Sequence, residues 1–178
     1  MRTKESIVIT DAIDEAQSGA WLKIIKEEFK SSLNNYQIPH VDETVLMTKY
    51  SMIHQALMEL SRIYCKNVRY FDVRGVSSVT FQKLDEFFPN PNSWNTPLRP
   101  SFQLPYDDKL NIIIPLSHED SYEGGSIHIP DEYVQLPYET RVAGGATILP
   151  TYVPYKTDKI VSGELYRVVA NIYGPKLV

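Results

Sequence analysis

The sequence changes character near residue 68, where helical periodicity gives way to short β-prone runs broken by prolines and glycines. Before that point, Leu46, Tyr50, Ile53, Leu57 and Leu60 follow one another in steps of four, three, four and three residues. This spacing predicts an amphipathic helix whose apolar side packs onto a sheet. Of the 12 prolines, most lie after residue 88, and proline interrupts both helices and central strands. We therefore expect helices first and short strands afterwards.

An earlier helix is predicted between residues 10 and 35. Thr10 and Asp11 are its expected start, because Asp14 follows Asp11 by three residues in the manner of a capping box. Its apolar side is formed by Leu22, Ile25, Phe29 and Leu33. Asn34 and Asn35 end the pattern, and a short strand is expected just before the helix, in residues 6–10.

The second part of the chain predicts strands. Residues 68–84 are β-branched and aromatic with a glycine break, which indicates strands or a hairpin, and residues 87–100 are a loop dense in Pro and Asn. Further strands are predicted at 109–116, 125–129, 133–136, 140–149 and 165–173. Gly124-Gly125 and Gly144-Gly145 mark turns or bulges. The layout is α+β, with the strands in a sandwich or jelly roll.

Length and charge limit the class of protein. The 178 residues suit one domain, 1–178, and the formal net charge of -4 argues against a nucleic-acid or anionic-membrane surface. The single cysteine, Cys65, excludes an internal disulfide framework and fits a reducing compartment. No apolar run approaches the roughly 20 residues of a membrane span, and the first residues lack a signal-peptide core. Cytoplasmic localisation is expected.

A literal metal motif stands at His118-Glu119-Asp120, because His-x-Asp begins the two-histidine, one-carboxylate triad of non-haem iron(II). A second histidine would have to follow on a later strand. The only later one is His128, ten residues on, which alternates with Ile127 and Ile129 on its strand. The motif is therefore interpreted as a polar surface loop, and His128 as an exposed or barrel-lining side chain.

Three segments resemble the prolyl-4-hydroxylase-like branch of the 2-oxoglutarate and iron(II)-dependent oxygenases. They read KLNIIIPLSHEDSYEGGSIHIP, VAGGATILPTYVPY and KIVSGELYRVVANIYG. The family's Tyr-x-Gly-Gly turn is matched by Tyr122, Gly124 and Gly125, and its Ser-Gly-Glu turn by residues 162–164. The resemblance implies a double-stranded β-helix, a cupin-like jelly roll, over about residues 68–175. The family's supporting helices would then occupy about residues 10–64.

The resemblance also implies where the cofactor residues would lie. The His-x-Asp pair falls at Tyr106 and Asp108, and the second histidine at Tyr155. The basic anchor of the 2-oxoglutarate 5-carboxylate falls at Leu165, with Arg167 as the candidate substitute on the same face. We expect Arg167 to pair with a neighbouring acid. Phenols are neutral at pH 7, whereas iron(II) prefers imidazole and carboxylate, so no catalytic residue and no metal ligand is assigned.

These degenerate positions predict a non-catalytic protein that acts as a scaffold or as a binding subunit. The expected partner is protein, as an oligomer or larger assembly, with no nucleic acid, no membrane and no cofactor. Members of this small type also occur in bacteriophages, which adds a virion or accessory role to the interpretations. The alternative is an active hydroxylase with atypical ligands, using iron(II) and 2-oxoglutarate, for which His128, Asp108 and Arg167 are the remaining candidates. Gly-x-Ser-x-Gly and His-Glu-x-x-His motifs are absent from the sequence.

Overall fold

A computed structural model describes residues 5–88, 105–130 and 140–176 of the chain. In these residues, a six-stranded antiparallel sheet has helices packed on one face and two short strand pairs on the other. Two interior regions result. The larger lies between helices and sheet, and the smaller lies between the sheet and the strand pairs.

Within the described residues, helices precede most of the sheet, as the sequence predicts, but there are four of them where it predicts two. They span Glu15–Glu28 (α1), Lys30–Asn34 (α2), Glu43–Lys49 (α3) and Ser51–Asn67 (α4). The expected start of the first helix at Thr10 and Asp11 is wrong, because Asp11 has a φ of 55°, in the left-handed region. Asp14 is the N-cap instead, and it forms a capping box with Gln17.

Each predicted helix is divided once, at Phe29 and at Tyr50, both of which have non-helical backbone angles. The break at Tyr50 leaves intact the apolar face that the spacing from Leu46 to Leu60 predicts. All five of its members are buried: Leu46, Tyr50, Ile53, Leu57 and Leu60. They belong to the cluster between helices and sheet, which confirms the predicted packing. In the described residues, no helix is long and apolar enough to cross a membrane.

Ten strands form three sheets in the part of the chain that the structure describes. In chain order they are Ile7–Ile9 (β1), His40–Val41 (β2), Gly75–Leu84 (β3), Tyr106–Pro115 (β4), Tyr122–Glu123 (β5), Ile127–His128 (β6), Ala146–Pro150 (β7), Lys156–Thr157 (β8), Ser162–Gly163 (β9) and Leu165–Pro175 (β10). The large sheet has the order β1-β7-β4-β10-β3-β2, while β5 pairs with β9 and β6 with β8.

The strand predictions differ in their outcome. β4 and β10 confirm the strands expected at 109–116 and 165–173, and β1 confirms the short N-terminal strand. Residues 68–84 contain one strand, β3, and no hairpin. The strand expected at 140–149 begins only at Ala146, because the preceding residues form turns, and only two residues of 125–129 are in β6. The strand expected at 133–136 and most of the loop at 87–100 lie outside the described residues.

Side-chain alternation on β10 assigns its residues to the two interior regions. Val168, Ala170 and Ile172 pack against the helices. The opposite face presents Leu165, Arg167 and Val169 to the region between the sheet and the strand pairs. Strand β10 therefore lines both interior regions. Arg167 faces the smaller one, between the sheet and the strand pairs, which is the inside of the β-helix.

Glu43, the first residue of α3, joins the helical layer to the sheet. One carboxylate oxygen accepts hydrogen bonds from the Val76 N–H at 2.7 Å and from the His54 ring at 3.2 Å. The other accepts from the Tyr173 hydroxyl at 2.8 Å. Burial by itself raises the pKa of Glu43, but these hydrogen bonds outweigh it and hold the pKa below its usual value. The His54 ring is thus partnered by the Glu43 carboxylate.

Glu43→Gln should reduce stability in a pH-dependent way. Because the folded pKa of Glu43 is depressed, its contribution is present above the unfolded value of about 4.3 and is lost as pH falls through the folded pKa. The difference in unfolding free energy between wild type and variant should therefore shrink from pH 6 to about pH 3. Urea denaturation across this range measures it. A difference that stays constant with pH would contradict the assignment, and the same series in a His54→Gln background removes the histidine's own titration.

Candidate functional site

The Tyr-x-Gly-Gly turn pairs directly with the Ser-Gly-Glu turn. Tyr122 lies opposite Gly163 in the β5–β9 pair. Gly124, Gly125 and Gly163 have φ values of 91°, 78° and 78°. Of these three glycines, Gly124 and Gly163 are the most closely approached: a Cβ at Gly124 would lie 2.1 Å from the Lys159 carbonyl oxygen, and one at Gly163 would lie 2.2 Å from the Ser121 carbonyl oxygen. The two turns that resemble the family are therefore one structural unit.

Arg141 holds this unit together. Its Nε donates to the Gly124 carbonyl at 2.9 Å, and its Nη2 donates to the carbonyls of Glu119 and Tyr122 at 2.9 and 2.7 Å. The guanidinium also lies 4.7 Å from the centroid of the Tyr122 ring. Sequence reasoning missed Arg141, because an arginine seventeen positions after the turn forms no recognised spacing with it.

The His118-Glu119-Asp120 segment is a surface turn. A 3-10 turn spans Glu119–Ser121, and the Nδ1 of His118 accepts the Asp120 N–H at 3.1 Å. The side chains of His118 and Asp120 are 67% and 89% exposed. Glu119 accepts the Ala143 N–H at 3.2 Å, which fastens the turn to the residues just before β7. The polar-loop interpretation is therefore confirmed.

Leu165 and Arg167 occupy different surroundings on the inner face of the β-helix. Leu165 is buried with Tyr122 and Ile160. Arg167 is 6% exposed, and its Nε and Nη1 donate to Gln82 at 2.7 Å and to Thr157 at 2.9 Å. Burial lowers the pKa of Arg167, and the nearby Tyr155 and Tyr122 act in the opposite direction. Its partners within the described residues are neutral, so the expected ion pair with an acid is not found there.

Tyr155 lies in an apolar environment inside the β-helix. It packs against the cluster of Ile113, Ile127, Leu149, Val153 and Val169. Burial raises the pKa of the Tyr155 phenol, an effect that Arg167 only partly offsets. The hydroxyl is therefore protonated throughout the physiological range.

Tyr106 and Asp108 lie at the far end of the same sheet. Tyr106 packs on Tyr173 with ring centroids 4.5 Å apart, and Asp108 accepts a hydrogen bond from the Ser77 hydroxyl. Asp108 is paired with Tyr173, six residues from Arg167 on β10, which corresponds to about 20 Å along the strand. Burial raises the pKa of Asp108. The assignment of these positions as metal equivalents stays a prediction.

The donor groups do not fit iron(II) within the part of the chain that the structure describes. No group of three or more His, Cys, Asp and Glu side chains is placed there to hold a metal. His128 is on β6, and its Nε2 lies 2.7 Å from a carboxylate oxygen of Asp158. This pair supplies one imidazole and one carboxylate, and no third such donor accompanies them among the described residues. A carboxylate ligand would fit better, because the described partners of the buried Arg167 guanidinium, Gln82 and Thr157, are both neutral.

No protein-family model matches the chain, and no curated protein matches its sequence. Solved structures do match it. The viral collagen prolyl hydroxylase of Paramecium Bursaria Chlorella virus-1 has a TM-score of 0.69 at 9% identity, covering 97% of this chain and 91% of its own. A prolyl-4-hydroxylase of Pseudomonas putida has a TM-score of 0.64 at 13% identity, covering 96% and 92%.

A third similar structure has a different activity. SnoK, a non-heme alpha ketoglutarate-dependent carbocyclase of nogalamycin biosynthesis, has a TM-score of 0.67 at 11% identity, covering 96% of this chain and 80% of its own. At such identities the likeness shows the fold. The chain has the double-stranded β-helix fold of the 2-oxoglutarate oxygenases with supporting N-terminal helices, which confirms the α+β fold class and the resemblance at the level of fold.

Proposed function

We propose that this protein is a non-catalytic member of the oxygenase-like folds, with a role in binding. The observation that supports the proposal most directly is the state of Tyr155. By the resemblance, Tyr155 stands where the second histidine would be, and it is a neutral phenol packed among Ile113, Leu149 and Val169. A ligand position of this kind needs a basic nitrogen or a carboxylate, and a protonated phenol in an apolar cluster supplies neither.

The arrangement of the remaining groups supports the same proposal. Asp108, the one carboxylate at a metal-equivalent position, is held by Ser77 and lies about 20 Å along the sheet from Arg167. In the fold family, iron(II) would supply the redox chemistry. This chain's described residues bring no matching set of donors to one place, so no reaction step is assigned to them.

A second candidate function, the binding of a small carboxylate without a metal, is favoured by Arg167. A buried cation is costly unless its charge is compensated. Among the described residues, Gln82 and Thr157 satisfy two of its N–H groups and bring no negative charge. A carboxylate would neutralise the Arg167 guanidinium through charge-assisted hydrogen bonds.

The predicted location, in the cytoplasm or in a virion, stays a prediction.

Thermal stability under ligand titration tests both candidates. The melting temperature is measured with Mn(II) alone, with 2-oxoglutarate alone in the presence of a chelator, and with both together, because a ligand of the native state raises it by mass action. No shift with the metal, alone or combined, is the expected result. The Pseudomonas putida prolyl-4-hydroxylase serves as the positive control.

Two further outcomes of this titration would distinguish the candidate functions. A shift that requires metal and 2-oxoglutarate together would overturn the non-catalytic proposal and favour the hydroxylase with atypical ligands. A shift with 2-oxoglutarate alone that is lost in Arg167→Lys would favour the carboxylate-binding form. The lysine variant keeps the charge but has a single donor group in place of the planar fork.

A further inference from the structure

The inner face of β10 becomes more accessible along the strand. Leu165 is 1% exposed, Arg167 6% and Val169 9%, while Asn171 is half-buried. Because β10 lies between β4 and β3, and the residues on either side of Asn171 face the helices, the accessible part of Asn171 is on the inner face. The inner face of β10, with its neighbours on β3 and β4, therefore lines a recess that is open near Asn171 and closed near Leu165. We call it the inner recess.

Arg167 is the only charged side chain among the described residues that line the inner recess. Its cross-strand neighbours, Gln82 on β3 and Pro115 on β4, are neutral. The next cross-strand row is centred on Val169 and the row after it on Asn171, and both rows consist of neutral residues. These residues can therefore neutralise one carboxylate, and only near the closed end of the recess.

Neutral amide groups lie at the open end. Asn171 donates one N–H to the Ser78 hydroxyl at 3.1 Å. Its cross-strand partner on β4 is Asn111, which is 4% exposed. A carboxamide has two N–H donors and a carbonyl acceptor, so the two amides have more hydrogen-bonding groups than Ser78 uses. Asn171 is four residues from Arg167 on β10, which corresponds to roughly 13 Å along the strand.

The wall between the two ends is apolar. Val169, Ile113 and Leu149 belong to one buried cluster, against which Tyr155 packs. A carboxylate placed on this wall would be buried without a cation, which is strongly unfavourable. 2-Oxoglutarate has a carboxylate at each end of a short chain, so one of them would lie on the apolar wall when the other reaches Arg167.

From this arrangement we propose that the inner recess binds a small monocarboxylate that carries a neutral amide. The carboxylate hydrogen-bonds to the Arg167 guanidinium, the alkyl chain lies along the apolar wall, and the amide pairs with Asn171 and Asn111. The inference rests on the metal-free carboxylate binding considered above and names the class of ligand. It also separates that ligand from 2-oxoglutarate, which has two carboxylates and no amide.

Isothermal titration calorimetry of the full chain, with a chelator present, tests the ligand class. 6-Acetamidohexanoate has both groups, hexanoate has only the carboxylate, N-hexylacetamide has only the amide, and heptanedioate has two carboxylates. The first should bind about tenfold more tightly than heptanedioate, because the second carboxylate of heptanedioate has no cation to meet. It should bind about fivefold more tightly than hexanoate, because of the hydrogen bonds of the amide. N-hexylacetamide should bind most weakly.

Two substitutions test the two ends separately. Arg167→Met should abolish the advantage of 6-acetamidohexanoate over N-hexylacetamide, since both then lack a partner for a carboxylate. Asn171→Leu should lower the affinity for 6-acetamidohexanoate to that for hexanoate, and it should leave hexanoate binding unchanged. Asn67→Leu is the matched control, because it makes the same change at an exposed residue at the end of α4. It should alter neither affinity.

The contrary results are specific to this proposal. It is overturned if 6-acetamidohexanoate does not bind, if heptanedioate binds as tightly, or if Asn171→Leu keeps the preference for the amide. The probe comparison is made on the wild type, so it stands even if Arg167→Met does not fold. All of these measurements exclude metal, whereas the non-catalytic proposal fails only if metal and 2-oxoglutarate bind together. The two failures are therefore distinguishable.

Discussion

Gly124→Ala should destabilise the protein by at least 3 kcal/mol, an approximate value for backbone strain combined with a steric clash. Its φ is 91°, where a side chain is strained, and the new Cβ would lie 2.1 Å from the Lys159 carbonyl oxygen. Backbone has to move to relieve that contact. The midpoint of urea denaturation measures the loss.

Gly19→Ala is the matched control. Gly19 is in the interior of α1, is exposed, and would have no atom within 4 Å of its Cβ. Alanine favours helix over glycine by roughly 1 kcal/mol, so this variant should be slightly more stable than wild type. Equal effects of the two substitutions would show that the Gly-Gly turn is not the tight contact described.

Arg141→Met should cost about 3 kcal/mol, because it leaves three carbonyl oxygens without their charged donor and removes the cation–π contact with Tyr122. Methionine keeps much of the apolar volume, which separates the hydrogen-bonding contribution from packing. Arg141→Lys keeps the charge but not the three-way geometry and should fall between wild type and Arg141→Met. Urea denaturation at constant pH gives the differences.

An exposed arginine provides the comparison for Arg141. Arg74 makes a two-pronged ion pair with Asp72 at 3.0 Å, but its side chain is 64% exposed. Solvent weakens such surface pairs, so Arg74→Met should be close to wild type in stability. A loss in Arg141→Met no larger than that in Arg74→Met would refute the bridging role.

Local signals predicted the parts of this fold that depend on neighbours in sequence. The spacing of Leu46, Ile53 and Leu57 was sufficient to find a core-facing helix, because periodicity depends only on the helix itself. The strands β4 and β10 followed from their apolar composition in the same way. At the first helix, two acidic residues lie within one turn of each other, and only the backbone angle at Asp11 showed that Asp14 is the cap.

The interior of the β-helix could not be predicted in this way. The partners of Arg167 in the described residues are Gln82 and Thr157, and Gln82 is 85 residues away in sequence. Strand order decides which neutral or charged groups surround a buried cation. Strand order produces no local pattern in the sequence from which these groups could be predicted. The expected acidic partner was inferred from frequency alone, and the partners that the described part of the chain provides are neutral side chains.

The large sheet ends on both sides in very short strands, β1 with three residues and β2 with two. Long exposed edge strands are templates for intermolecular β-pairing, and short edges remove most of that template. Strand-to-strand polymerisation is therefore disfavoured, and fibrils or sheet-extended assemblies are not the expected products of self-association.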